Sequence, residues 1–190
     1  MDKLDPASTA LVLVDLQEGT LAYPYAPHSA DAVRKAGGAL AEAFRTAGGL
    51  VILVRVVFSA DFGDALRQPV DRPLPGSGGL PDNWADFAPE LQQAASDIVI
   101  EKRNWGAFYG TGLDMQLRRR GIRTLVVGGV ATNMGVESTA RDAYEHGYVL
   151  IFAEDAISSM AEEMHAFTMS TIFPLIGRVR SVADIVSALG

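Results

Sequence analysis

The chain has 190 residues, 48% hydrophobic and 21% charged, enough apolar material for one domain with a substantial core. Its 16 Lys and Arg against 23 Asp and Glu give a formal charge of −7, the wrong sign for tracking a phosphate backbone, so nucleic acid is excluded as an expected partner. With 0 cysteines, disulfides, thiolate metal ligands and thiol catalysis are excluded as well.

The opening residues Met1-Asp2-Lys3-Leu4-Asp5-Pro6 lack the basic start and apolar stretch of a secretion signal, and no apolar run is long enough to span a bilayer. The expectation is a soluble, cytoplasmic protein with no membrane partner. Leu11 to Val14 is a continuous apolar run that reads as a strand buried on both faces, and Asp15 ends it. Small and apolar residues then recur at helical spacing from Ala30 to Ala47, stopped by Gly48-Gly49. Leu50 to Phe58 is a longer, β-branched run and predicts the second strand. Ser59 to Glu90 has no clear periodicity and is too long for an ordinary connection, which predicts a lid or a subunit-contact segment. Ile98 to Ile100 predicts a third strand, Gly112 to Arg120 a helix stopped by Gly121, and Thr124 to Val127 a fourth strand. A helix from Met134 to His146, stopped by Gly147, a strand from Tyr148 to Phe152, a helix from Glu162 to Ile172 and a weaker strand at Arg178 to Arg180 complete the pattern. Arg118, Arg119 and Arg120 fall late in their helix, where cations offset the negative end of the dipole.

Strands alternating with helices argue for an α/β fold: a parallel sheet with right-handed crossovers in a three-layer α/β/α sandwich, with residues 1–190 as one domain. In such sheets ligands bind beyond the carboxyl ends of the strands, where strand order reverses. That rule selects Asp15, Lys102 and the segment Gly128 to Thr132. Asp15, at the mouth of a buried strand, is either a desolvated proton donor or a turn cap. Lys102 is either the charge partner of a carboxylate and a substrate contact, or a solvated strand end. Gly128 to Val136 joins a strand to a helix, and its glycines either present free N–H groups to an anion or permit close packing. It is neither a dinucleotide fingerprint nor a P-loop. His28, His146 and His165 form no Asp-x-His or His-x-x-x-His pair, so neither a metal nor another cofactor is expected; His146 reads as a helix cap. Ser138 and Thr139 stand outside any Gly-x-Ser-x-Gly elbow.

Four segments, in this order, resemble the isochorismatase-like superfamily, also called the cysteine hydrolases. They are Val14-Asp15-Leu16-Gln17; Lys102 with Trp105-Gly106-Ala107-Phe108 and Thr111; the stretch Gly129 to Ala143; and Glu154-Asp155-Ala156. The likeness covers nearly the whole chain and extends furthest to short bacterial members whose loop carries Gly where relatives carry Cys. It implies a six-stranded parallel sheet in Rossmann-like order, a non-proline cis peptide at Val130-Ala131, and a homo-oligomer, dimer or tetramer. It also implies catalytic positions at Asp15, Lys102 and Gly135, the last standing where amidase members have their nucleophile. Substrate contacts would come from Gln17, Trp105, Phe108, Ala131 and Thr132, with Ala131 and Gly135 offering backbone donors. The Asp-x-His pair of metal-assisted relatives is absent from Phe58-Ser59-Ala60-Asp61-Phe62-Gly63. What survives without sulfur is a first-strand aspartate acting as an acid, as in isochorismatases that hydrolyse a vinyl ether. The expectation is therefore a cofactor-independent hydrolase of a small, anionic substrate; the alternative is a catalytically silent binding or scaffold homologue.

Overall fold

The computed structural model describes residues 2–72 and 79–190. Its strands are β1 (Thr9–Val14), β2 (Leu50–Val56), β3 (Ile98–Lys102), β4 (Thr124–Val130), β5 (Val149–Ser158) and β6 (Arg178–Arg180). All pair in parallel, in the order β3-β2-β1-β4-β5-β6. The helices are α1 (Glu18–Leu21), α2 (Ala30–Thr46), α3 (Leu113–Arg119), α4 (Glu137–Glu145), α5 (Glu162–Phe167), α6 (Phe173–Ile176) and α7 (Val182–Leu189). None of them is long and apolar enough to cross a membrane.

Period-two alternation divides the core between the two faces of the sheet. Val12, Val14, Ile52, Val54 and Val127 face Leu113 and Leu117 of α3, Ala140 and Ala143 of α4, and Phe173 of α6. Leu11, Leu13, Val51, Leu53 and Val126 face Val33, Leu40 and Phe44 of α2 and Ile185 of α7. Ser29 caps α2 by accepting from Ala32 N–H, and Ser181 caps α7 by accepting from Asp184 N–H. Both faces are covered, as the uninterrupted apolar runs require.

The expected elements form, with shifted ends. β4 continues through Gly128 and Gly129, so these glycines lie in the sheet and not in a turn. Gly129 has φ +123, and a Cβ there would lie 2.0 Å from the Val14 carbonyl oxygen, so the glycine permits β4 to approach β1. The helix expected from Met134 opens with a wide π turn, Thr132–Val136, before α4. β5 extends to Ser158, passing an irregularity in its pairing with β4 between Val127 and Gly129. The helix expected over Glu162 to Ile172 is α5 followed by a second π turn, Thr168–Ile172. The irregular segment Ser59 to Glu90 includes residues 73–78, which lie outside the described residues; Phe87 bridges back to Gln17.

Candidate active site

Strand order reverses between β1 and β4, and the chain leaves both strands there toward the same end of the sheet. Asp15, directly after β1, has φ 55, a left-handed conformation that aspartate tolerates better than most residues. Its N–H donates to Val54 O at 2.9 Å, and its carbonyl accepts from Thr20 Oγ1 at 2.5 Å. Lys102 closes β3, two strands away, and reaches past the end of β2. Its Nζ lies 2.7 Å from Asp15 Oδ2 and 3.0 Å from Asn104 O.

Both partners of this ion pair are buried, Asp15 at 6% and Lys102 at 2% exposure. Burial pushes the Asp15 carboxyl above the usual carboxylate range, with the Lys102 ammonium acting in the opposite direction. Among the described residues Asp15 Oδ1 has no hydrogen-bond partner. The nearby Tyr25 hydroxyl donates to Thr20 O at 3.0 Å, and burial together with the Asp15 charge pushes its phenol upward.

A cleft of about 580 Å³ opens over this pair. Asp15, Lys102, Trp105, Ala131 and Gly135 all line it, so five of the expected site residues converge. The Val130-Ala131 peptide is cis. A Cβ at Gly135 would fall 2.9 Å from Asp15 Oδ2 and 3.3 Å from Val130 O, which puts position 135 against the acid.

Three residues expected at the substrate lie elsewhere. Phe108 packs into the core, its ring 5.2 Å from that of His146. Thr132 is fully buried, with Oγ1 2.9 Å from His165 Nδ1. Gln17 is fully buried as well, and its amide is wholly occupied: Nε2 donates to Val56 O at 3.0 Å and Trp84 O at 2.8 Å, while Oε1 accepts from Val56 N–H at 2.8 Å. Gln17 therefore shapes the cleft by tying the end of β2 to Trp84. Gln17→Ala leaves Val56 N–H without its acceptor, whereas Val56 O keeps the Trp84 indole N–H and Trp84 O keeps Gly19 N–H; one buried unpaired group costs about 1–3 kcal/mol, and we expect the urea midpoint to fall accordingly.

The irregular segment supplies much of the cleft wall through Phe62, Leu66, Arg67 and Trp84, none of them expected from the motifs. Trp84 covers Gly19, where a Cβ would fall 2.2 Å from the indole, and its Nε1 donates to Val56 O at 3.2 Å. The signal for Trp84 was a tryptophan inside an aperiodic stretch, and nothing local tied it to β1. Arg67 donates to the carbonyls of Asp61 and Phe62, and Arg103 pairs with Asp64 at 2.9 Å, so two guanidinium groups stand at the cleft beside Lys102. His28, Glu154 and His165, which do not line the cleft, meet although they are far apart in the chain.

The Isochorismatase domain model matches residues 9–184. YecD of Escherichia coli O157:H7, an uncharacterised isochorismatase family protein, is 52% identical over 189 residues, covering 100% of both chains. YwoC of Bacillus subtilis (strain 168), also uncharacterised and of this family, is 44% identical over 182 residues, covering 95% of this chain and 94% of its own. The solved structure of an isochorismatase family protein from Burkholderia thailandensis superposes with a TM-score of 0.94 at 42% identity, covering 100% of this chain and 98% of that one. With the acid, the lysine and the β4 turn gathered over one cleft, and with the match running through all six strands, the chain belongs to the isochorismatase family of α/β hydrolases.

Proposed function

We propose that this protein hydrolyses a small anionic molecule without a covalent intermediate, using Asp15 as proton donor and acceptor and Lys102 as its charge partner. The observation that carries this function is the asymmetry of the Asp15 carboxyl in the cleft. Oδ2 is held by Lys102 at 2.7 Å, whereas the buried Oδ1 has no partner among the described residues and is the atom left to exchange a proton. Burial raises the affinity of the carboxyl for its proton, the direction that acid catalysis requires, with Lys102 opposing it. Arg103 at the cleft is offset by Asp64, and Arg67, which has no carboxylate partner among the described residues, favours a negatively charged ligand, with Asp61 acting against it.

On an enol ether, Asp15 gives its proton to the terminal alkene carbon, and the ether oxygen stabilises the cation formed. Water adds to the oxygen-bearing carbon and returns a proton to Asp15. The resulting hemiketal then breaks its C–O bond, its hydroxyl proton passing to the departing oxygen, to leave a ketone and an alcohol. Backbone N–H groups at Ala131 and Gly135 are the proposed donors to a substrate carboxylate.

A silent binding homologue is the second reading, and Gly135 supports it. With no side chain at that position and no cysteine in the chain, the acyl-enzyme route of amidases has no nucleophile here. A panel of carboxylate-bearing enol ethers, amides and simple carboxylates, screened by thermal shift and then assayed for product, separates the two. Turnover of an enol ether that stabilises the protein is the expected result. Binding across the panel with no turnover would favour the silent homologue.

A further inference from the structure

Three side chains from three separate elements converge beside the cleft: His28 from the connection between α1 and α2, Glu154 from β5, and His165 from α5. His28 Nε2 lies 2.9 Å and His165 Nε2 3.4 Å from the same atom, Glu154 Oε1, and one donor atom from each of the three lies within 4.8 Å of the others. We propose that these residues form a binding site for one divalent cation of the zinc type.

Donor chemistry selects the class of ion. Two imidazole nitrogens and one carboxylate oxygen suit zinc, cobalt or nickel, whereas magnesium and calcium prefer all-oxygen shells. Bond lengths near 2.0–2.1 Å in a tetrahedron put neighbouring donors roughly 3.3 Å apart. Two of the three separations already bracket that value, and the third closes by a small movement of His28, which is only half-buried. Three protein ligands leave a fourth position for water.

The surroundings of His165 provide the second observation. Its ring is 3% exposed and is fixed from behind, with Nδ1 2.9 Å from Thr132 Oγ1. With the hydroxyl oxygen accepting from Nδ1–H, the lone pair of Nε2 turns toward a metal, the part that an outer partner plays for a ligating histidine. Without a cation, one carboxylate oxygen has to accept from both imidazoles, and the 3.4 Å contact is too long for a good hydrogen bond. A cation between the three atoms satisfies all of them with lone pairs alone. Such an ion would fasten the segment before α2 and helix α5 to β5, and through Thr132 to the turn that bears Ala131.

The test uses untagged protein stripped with a chelator, titrated with Zn²⁺ by calorimetry and with Co²⁺ by visible absorption. One equivalent should bind, Co²⁺ should give the visible bands of a tetrahedral site, and Zn²⁺ should raise the melting temperature. His28→Ala and Glu154→Gln, both partly exposed and checked for folding by circular dichroism, should each weaken Zn²⁺ binding by about 10–100-fold or more, the loss that even outer-sphere changes produce. Absence of saturable binding to the parent, or unchanged affinity in either variant, would overturn the site. His165→Ala is not used to decide, because its ring is buried.

Discussion

Asp15→Asn should lower turnover of an enol ether identified by ligand screening by about 10²–10⁴-fold, the range expected for loss of a general acid. It should also destabilise the protein. The substitution leaves the Lys102 ammonium, 2% exposed, without a counter-charge, its contacts reduced to neutral carbonyl oxygens, and breaking a buried ion pair from one side costs about 3–5 kcal/mol. The double variant Asp15→Leu with Lys102→Met removes both charges and should recover much of that loss without restoring turnover. Denaturation curves and rates measured on the three proteins separate the structural contribution of the pair from the catalytic one. Undiminished turnover in Asp15→Asn would remove Asp15 from the mechanism.

The companion variant Lys102→Met exposes the same balance through pH. With the ammonium gone, burial acts on Asp15 unopposed, and its folded pKa rises further above the usual carboxylate range. The folded state then holds a proton that the unfolded chain releases. Stability from this group is fully present below the unfolded pKa and is lost as pH rises through the folded one. Relative to the parent, Lys102→Met should therefore lose melting temperature from acid toward neutral pH. A difference that grew in favour of the variant over the same range would contradict the burial argument.

Gly129→Ala is the other change with a large expected effect. At φ +123 an alanine is strained in any surroundings, and here its methyl group would meet Val14 O at 2.0 Å and Val14 N at 2.7 Å. Both are backbone atoms of the neighbouring central strand, so nothing flexible can yield. A loss beyond about 4–5 kcal/mol is expected, read as a collapse in soluble yield or of the cooperative melt. Gly135→Ala gives the contrast. Its methyl group would press at 2.9 Å on Asp15 Oδ2, the end of a side chain, and an overpacking cost of about 1–3 kcal/mol is expected. Equal melting of Gly129→Ala and the parent would contradict the close approach of β4 to β1.

The strand interiors were legible because burial on both faces leaves unbroken β-branched runs, as in Leu50 to Val56. Their ends were not. Gly128 and Gly129 read as punctuation, whereas they are strand residues chosen for the backbone they face. The short helix α7 went unassigned, although Ser181 caps it and Ile185 and Leu189 bury one face. Asp15 and Lys102 were legible as strand-end residues and through the family resemblance, but their contact spans the end of β2 and has no counterpart in sequence spacing. Gln17 belongs to the first-strand motif, and only the fold reveals that its amide turns toward Val56 and Trp84. The convergence of His28, His165 and Glu154 has no counterpart in sequence spacing either, since 126 residues separate His28 from Glu154.

The lysine hangs from β3, which ends the sheet, while the acid hangs from its centre. The working state of the cleft is thus wired to a peripheral seam: peeling β3 away from β2 withdraws the ammonium and strands the carboxyl, even with the middle of the sheet intact. On the proposed mechanism, edge fraying would stop turnover well before the molecule as a whole came apart.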